Sequence, residues 1–271
     1  MKMQIDRYTL NLLLHQYAFC EHDFIYGDNA LNVRIWNGNG FDFQKALYDC
    51  SVMMQVIEIY LREFDSNLLQ NGHVDVANCP MRTSPVTLYG IHNYNRVILL
   101  HTATGRWSQF CYQLAHELTH FFIGGNNENS NNWFYESIAE LASNYFVNKM
   151  SEHFSKSAYP YFNIYAGALK DYLNATDLTK ASPIENPSSW LAEHEEELLN
   201  NKTNRLLNAQ CAKLLLPYFE STSGIWNILL LAPHENISLN QLLKHWKASC
   251  KAHNLDKHIL YFQNVFDIAD N

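Results

Sequence analysis

The segment from residue 107 to residue 123 constrains the fold of this chain more than any other. Its only carboxylate is Glu117, it contains no lysine or arginine, and most of its other side chains are apolar or aromatic. Gly124 and Gly125 follow it, and glycine commonly ends a helix. We therefore predict a buried helix over residues 107–123, around which the rest of the chain must build its core.

Within this helix, His116, Glu117 and His120 form the motif His-Glu-x-x-His. Side chains four residues apart on an α-helix leave the same face, one turn apart. The two imidazoles can therefore bind one metal ion, with Glu117 placed to take a proton from a metal-activated water. Zinc favours such donors and keeps a position open for water in catalytic sites. The motif predicts a zinc site, although an ordinary core helix with two hydrogen-bonded histidines is the alternative that it leaves open.

A third ligand is expected from the next helix, which we predict over residues 133–150 with Asn131 or Asn132 as its N-cap. The metzincin motif does not continue, because Ile123 stands where that motif has glycine. Residues 133–140 instead have the sequence Trp-Phe-Tyr-Glu-Ser-Ile-Ala-Glu. HELTH with W-x-x-E-x-I-A-E resembles the gluzincin branch of the zinc peptidases, which includes thermolysin-like proteases and the large aminopeptidases.

The resemblance covers roughly residues 96–147 and implies a zincin-like fold that binds Zn²⁺. It implies that Glu136 is the third ligand and that Glu140 hydrogen-bonds to the first histidine, which would fix its tautomer. The interval from His120 to Glu136 is shorter than such enzymes usually have. Glu140 lies at the thermolysin-like spacing and is therefore a rival ligand, with Asn144 then in the outer position.

The same resemblance predicts two more parts of a peptidase site. The strand at residues 96–102 would be the edge strand that pairs with an extended peptide, and a plain core strand is the alternative. A donor for the developing oxyanion would come from the C-terminal half. No motif selects one among the candidates Tyr159, Tyr161, Tyr165, Tyr172 and His194.

Periodicity along the chain predicts an α+β fold in a single zincin-like domain, residues 1–271. A mixed α/β subdomain would occupy residues 1–105, the metal-site helices residues 106–150, and a mostly helical subdomain residues 151–271. The predicted strands are residues 24–26, 31–36, 86–89 and 96–102, and a turn is predicted at residues 37–40. The other predicted helices are residues 42–64, 190–218 and 239–252.

Composition argues against two classes of partner. The net charge of −8 and the absence of a lysine or arginine cluster disfavour nucleic acid and anionic membranes. The N-terminal apolar stretch is interrupted by polar residues, so we expect a cytoplasmic protein without a signal peptide, with export by another route left open. The six cysteines contain no Cys-x-x-Cys pair, which favours buried free thiols.

These observations together predict zinc-dependent hydrolysis of peptide bonds in a peptide or protein substrate, with Glu117 as the general base. One alternative is a zincin-fold effector or toxin, or a zinc hydrolase, that acts on one specific partner or on a non-peptide bond. Another is a non-catalytic binding module, against which the intact Glu117 argues, since metal binding alone does not need it. The sequence does not indicate an oligomeric state.

Overall fold

In the part of the chain that the structure describes, the N-terminal half contains a five-stranded sheet and helices that pack against it, and the C-terminal half is helical. The computed structural model describes residues 21–26, 31–36, 43–69, 72–78, 83–88, 95–103, 105–124 and 131–268. The strands are β1 (Glu21–Tyr26), β2 (Leu31–Trp36), β3 (Gly72–Asn78), β4 (Val86–Leu88) and β5 (Asn95–Leu100). The first helices are α1 (Phe43–Leu61), α2 (Trp107–Ile123) and α3 (Asn132–Ser155). They are followed by α4 (Pro160–Asn174), α5 (Asp177–Lys180), α6 (Pro187–Asn200), α7 (Arg205–Ser221), a 3₁₀ helix (Ile225–Leu231), α8 (Leu239–Lys251) and α9 (Asp256–Val265).

The strand order is β1-β2-β3-β5-β4. β2, β3 and β5 run parallel, whereas β1 and β4 pair antiparallel with their neighbours. The antiparallel pair β4–β5 confirms the predicted hairpin, although its turn lies outside the described residues. The prediction that the strand at residues 96–102 is an edge strand is wrong. β5 pairs on both sides, and the last strand of the described sheet on that side is β4.

The two faces of the sheet contribute side chains to different hydrophobic clusters. One face contributes Ile35, Val74, Val76, Ile98 and Leu100 to the main core, which it shares with the helices. The other carries a small separate cluster of Ala77, Leu88, Val97 and Leu99. This division follows from the alternation of side chains along β3 and β5. The helix α2 packs on the face that contributes to the main core, where it contacts β4 and β5.

The helix α2 has the bounds that the sequence predicts, and its cap is confirmed. Gly124 has φ 70°, a left-handed conformation that glycine adopts without strain, and its amide donates to the carbonyl of His120. Trp107, Phe110 and Leu114 are buried. Because α2 is buried along most of its length, its polar side chains must find partners inside the protein.

A buried carboxylate holds the start of α2. Asp49 Oδ1 accepts hydrogen bonds from the Gly105 amide at 3.0 Å and the Trp107 indole at 2.8 Å. We expect Asp49→Ala to lower the free energy of unfolding by about 1–3 kcal/mol, because it leaves the buried Trp107 indole without its acceptor and also removes the contact with the exposed Gly105 amide. Urea denaturation measures the loss. Asp49→Asn is the control, since it keeps an acceptor, and equal stability of the alanine variant and the wild type would contradict the role.

Most of the remaining predictions of helices are confirmed, and one is wrong. The predicted helices at residues 42–64, 133–150 and 239–252 correspond to α1, α3 and α8. The predicted long helix at residues 190–218 is two helices, α6 and α7. Asn201 is the C-cap residue of α6, and the Asn204 side chain accepts from the Leu207 amide and begins a new helix. The α+β fold with a helical C-terminal half is confirmed, while the subdomain boundaries stay predictions.

The prediction of buried free thiols can be compared with the structure for four of the six cysteines. Cys50, Cys111, Cys211 and Cys250 are buried and form no disulfide, as predicted. Cys20, Cys79 and the predicted turn at residues 37–40 lie outside the described residues. None of the helices that the structure describes combines the length and the apolar character needed to cross a lipid bilayer.

Candidate metal centre

Two neighbouring helices bring the three predicted ligands together. His116 and His120 project from α2, and Glu136 projects from the second turn of α3. Trp133, three residues before Glu136, is buried in the core and anchors the start of α3. The three side chains that meet are partly exposed, at 15–20% of their surface. The site is thus set into the protein but open to solvent on one side.

The distances between the donor atoms fit one small cation. His116 Nε2 lies 3.2 Å from His120 Nε2 and 3.3 Å from Glu136 Oε2. His120 Nε2 lies 3.4 Å from Glu136 Oε1. Two ligands that are each about 2.0–2.1 Å from a tetrahedral zinc ion lie about 3.3–3.4 Å apart. The two histidines face different oxygens of Glu136, and one donor atom of each residue lies within 4.8 Å of the others. Two imidazoles and a carboxylate are donors that zinc prefers, so the chemistry of the cluster fits a zinc ion.

The charges of these groups depend on one another. Burial lowers the pKa of His116, but the hydrogen bond and the charge of Glu136, with Glu117 and Glu140 nearby, outweigh it and raise the pKa to about 9. Burial raises the pKa of Glu136, but the two histidines outweigh it and hold that pKa well below its usual range. Without a metal, a protonated His116 can therefore pair with Glu136. A metal ion that binds here replaces that proton.

Two hydrogen-bonding side chains support the three ligands. Asn132 Nδ2 donates to Glu136 Oε1 at 3.2 Å, from one turn earlier on the same helix. Ser143 Oγ lies 3.5 Å from His116 Nδ1, on the side of the ring away from the other ligands. Contacts of this kind fix the direction of a ligand and the tautomer of a histidine. The sequence predicts neither of these roles, since amide and hydroxyl side chains on α3 carry no motif.

Glu140 is placed differently from what the resemblance implies. Its carboxylate accepts hydrogen bonds from Tyr112 Oη and, at 3.3 Å, from Asn144 Nδ2. Its charge reaches His116, but no hydrogen bond joins the two residues. Burial raises its pKa despite these partners. Thr176 donates to Asn144 Oδ1 at 2.8 Å and ties this network to the helical half. Glu136, and not its rival Glu140, is the carboxylate that meets both histidines.

Glu117 is buried beside His116 and contacts the sheet. Thr87 Oγ1, on β4, lies 2.7 Å from Glu117 Oε2 and 3.0 Å from its backbone carbonyl oxygen. Only 4% of Glu117 and 8% of Thr87 is exposed. Among the described residues, Thr87 is the hydrogen-bond partner of the carboxylate next to the candidate ligands, and no motif in the sequence singles Thr87 out.

Most of the predicted oxyanion donors have their contacts away from the two histidines. Tyr161 and Tyr165 pack on Trp107, at the opposite end of α2 from the histidines, and Tyr159 is largely exposed. Tyr172 packs on Tyr112, and His194 packs on Trp190. Burial and the nearby charge of Glu140 raise the pKa of Tyr172, so this residue lies beside the Glu140 network. The donor for the oxyanion stays a prediction.

A histidine that no sequence motif marks lies at the end of α2. The nearest atoms of the His234 ring lie 3.1 and 3.2 Å from the point where a side chain on Gly124 would begin, so a larger residue would press on this ring, and the positive φ of Gly124 also favours glycine. Burial and the charge of Arg96 lower the pKa of His234. Gly124 follows His120 by one helical turn, so His234 contacts the chain at the end of α2.

Comparison with known families agrees with this geometry. Residues 71–170 match the family model of the IrrE N-terminal-like domain, Peptidase_M78. This is a family of zincin-like metallopeptidases, and the matched residues run from β3 into α4 and include all three candidate ligands. No curated protein is similar enough to match the chain. The match supports a zincin-like metallopeptidase domain with a site for a metal ion, whereas the gluzincin branch stays a prediction.

Proposed function

We propose that the protein is a zinc-dependent peptidase whose ion is held by His116, His120 and Glu136. The observation that carries the proposal is the cluster of His116, His120 and Glu136, in which one donor atom of each residue lies within 4.8 Å of the others. The two imidazole nitrogens are 3.2 Å apart, close to the edge length of a tetrahedral zinc site. Three protein ligands leave the fourth position for water, as in catalytic zinc sites. A bound Zn²⁺ would supply Lewis-acid activation of that water and of the scissile carbonyl.

Glu117 is the general base in this proposal. It follows His116 directly on α2, and its buried carboxylate is held apart from the bulk solvent. It takes the proton from the attacking water and passes it to the nitrogen of the leaving amine. Glu136 cannot share this role, because both of its oxygens face the histidines.

The substrate is proposed to be an extended peptide or protein segment that pairs with β4. A strand at the end of a sheet offers backbone groups for a further strand, which gives affinity for main chain without selecting side chains. β4 contacts α2, and its Thr87 touches Glu117, so a peptide along β4 would pass beside the general base. β5 cannot serve, since β3 and β4 occupy both of its sides.

The test combines metal analysis with a peptide-library cleavage assay on the purified protein. We expect about one zinc ion per chain, cleavage that a chelator abolishes, and recovery when zinc is added back. Zinc without cleavage of any library peptide would exclude a general peptidase and favour an effector with one specific partner or a non-peptide substrate. Absence of metal after reconstitution with zinc would overturn the proposal and leave a binding scaffold.

A further inference from the structure

A single hydroxyl joins the general base to the sheet. Thr87 Oγ1 contacts both the carboxylate and the backbone carbonyl of Glu117, at 2.7 and 3.0 Å. A threonine hydroxyl has one proton, and the shorter contact with a charged acceptor is the stronger hydrogen bond. The Thr87 hydroxyl therefore donates to Glu117 Oε2, and the backbone carbonyl oxygen of Glu117 is a closely packed neighbour at 3.0 Å.

The strand itself determines that Thr87 faces α2. In β4, Leu88 and Val86 pack with the small cluster on the opposite face of the sheet. Because side chains alternate along a strand, Thr87 points from the other face toward the helix. β4 pairs antiparallel with β5, with Thr87 opposite Ile98, which keeps the hydroxyl in register with Glu117. A shift of one residue would turn Thr87 away from α2.

We propose that Thr87 is a positioning residue that holds Glu117 Oε2 so that Oε1 is left to accept the proton of the attacking water. The inference rests on the proposed peptidase function. A buried carboxylate without this donor would turn toward another polar group, and a small displacement of a catalytic group lowers a rate strongly. The restraint comes from the strand on which the substrate is proposed to lie, so binding site and base share one residue.

The kinetic test compares Thr87→Val with Thr87→Ser. Valine keeps the shape of threonine and removes the donor, whereas serine keeps the hydroxyl. We expect Thr87→Val to lower kcat about 10- to 100-fold with KM nearly unchanged and with zinc content equal to wild type. Thr87→Ser should restore most of kcat. This pattern separates positioning from a merely structural role. If Thr87 had only a structural role, Thr87→Ser would not restore kcat selectively.

Thr102→Val is the matched control for the loss of a buried threonine hydroxyl. Thr102 is 3% exposed, and its hydroxyl donates at 3.0 Å to Gln109, which lies on α2 far from Glu117. This variant should leave kcat within about twofold of wild type, as expected for a residue outside the site. An equal loss of kcat in Thr87→Val and Thr102→Val, or a wild-type kcat in Thr87→Val, would overturn the inference.

A second measurement does not depend on activity. In the metal-free protein, Thr87→Val should lower Tm by roughly 2–6 °C in the wild-type background and much less in a Glu117→Leu background, because the pair is then already broken. Equal shifts in both backgrounds would overturn the inference. If the wild type cleaves no peptide, the proposed function fails. The comparison of the Tm shifts in the two backgrounds still decides whether Thr87 holds Glu117.

Discussion

Glu117→Gln is expected to bind zinc as the wild type does and to lose about 10²–10⁴-fold in kcat. Glutamine keeps the size of the side chain and an oxygen that accepts from Thr87, so the contact at 2.7 Å can persist. The substitution removes only the ability to accept and return a proton. Metal analysis and steady-state kinetics on a cleaved library peptide measure the two properties separately.

The separation of metal content from activity makes this variant informative. Glu117 contributes no atom to the cluster of His116, His120 and Glu136, so the metal should not depend on it. Loss of zinc in Glu117→Gln would mean that the site had rearranged, and the kinetic loss would then say nothing about proton transfer. Activity within a few-fold of wild type would show that Glu117 is not the base. Glu193→Gln, on the exposed face of α6, is the control.

The parts of the site that the sequence predicts are those that a single helix determines. His116 and His120 share a face of α2 because of the geometry of an α-helix, and no tertiary contact is needed to bring their rings together. The bounds of α2 are similarly local, since Gly124 ends the helix through its own conformation. The same holds for α8, whose Ser238 and Gln241 form a capping box.

Helical periodicity alone does not distinguish Glu136 from Glu140, and the prediction that Glu136 is the ligand rests on the family resemblance. Both residues lie on the same face of α3, four positions apart, so periodicity treats them alike. In the structure, Tyr112 from α2 and Asn144 donate hydrogen bonds to the Glu140 carboxylate, whereas the Glu136 carboxylate faces the histidines. The outcome depends on how α2 and α3 pack, which the local pattern of either helix does not contain.

The order of the strands is also a non-local property. The edge position of the strand at residues 96–102 is implied by the family resemblance, and the sequence pattern does not predict β3, which pairs with that strand. The contact between Thr87 and Glu117 is not predicted for the same reason. One threonine in a three-residue strand does not indicate its partner until the pairing of β4 with β5 is known. Strand pairing links residues far apart in the chain, and the hydrophobic pattern of each strand is compatible with several orders.

Loss of zinc from Glu136→Ala, but not from Glu140→Ala, is the second large effect that we expect. Removing one of three protein ligands should weaken zinc binding by about 10²-fold or more, since roughly 10–16 kcal/mol is shared among the ligands of such a site. Glu140→Ala removes a carboxylate that is hydrogen-bonded to Tyr112 and Asn144, so zinc affinity should stay within about tenfold. Competition with a chromophoric chelator measures both affinities.

The two alanine variants serve as controls for each other, because each removes a partly buried carboxylate from the same helix. Their stabilities separate the roles further. Zinc should raise Tm in the wild type and in Glu140→Ala, but not in Glu136→Ala, since a ligand stabilises only the fold that binds it. If Glu140→Ala loses zinc while Glu136→Ala retains it, the ligand assignment is reversed. The donor distances of 3.3 and 3.4 Å from Glu136 would then describe only an ion pair of the metal-free protein.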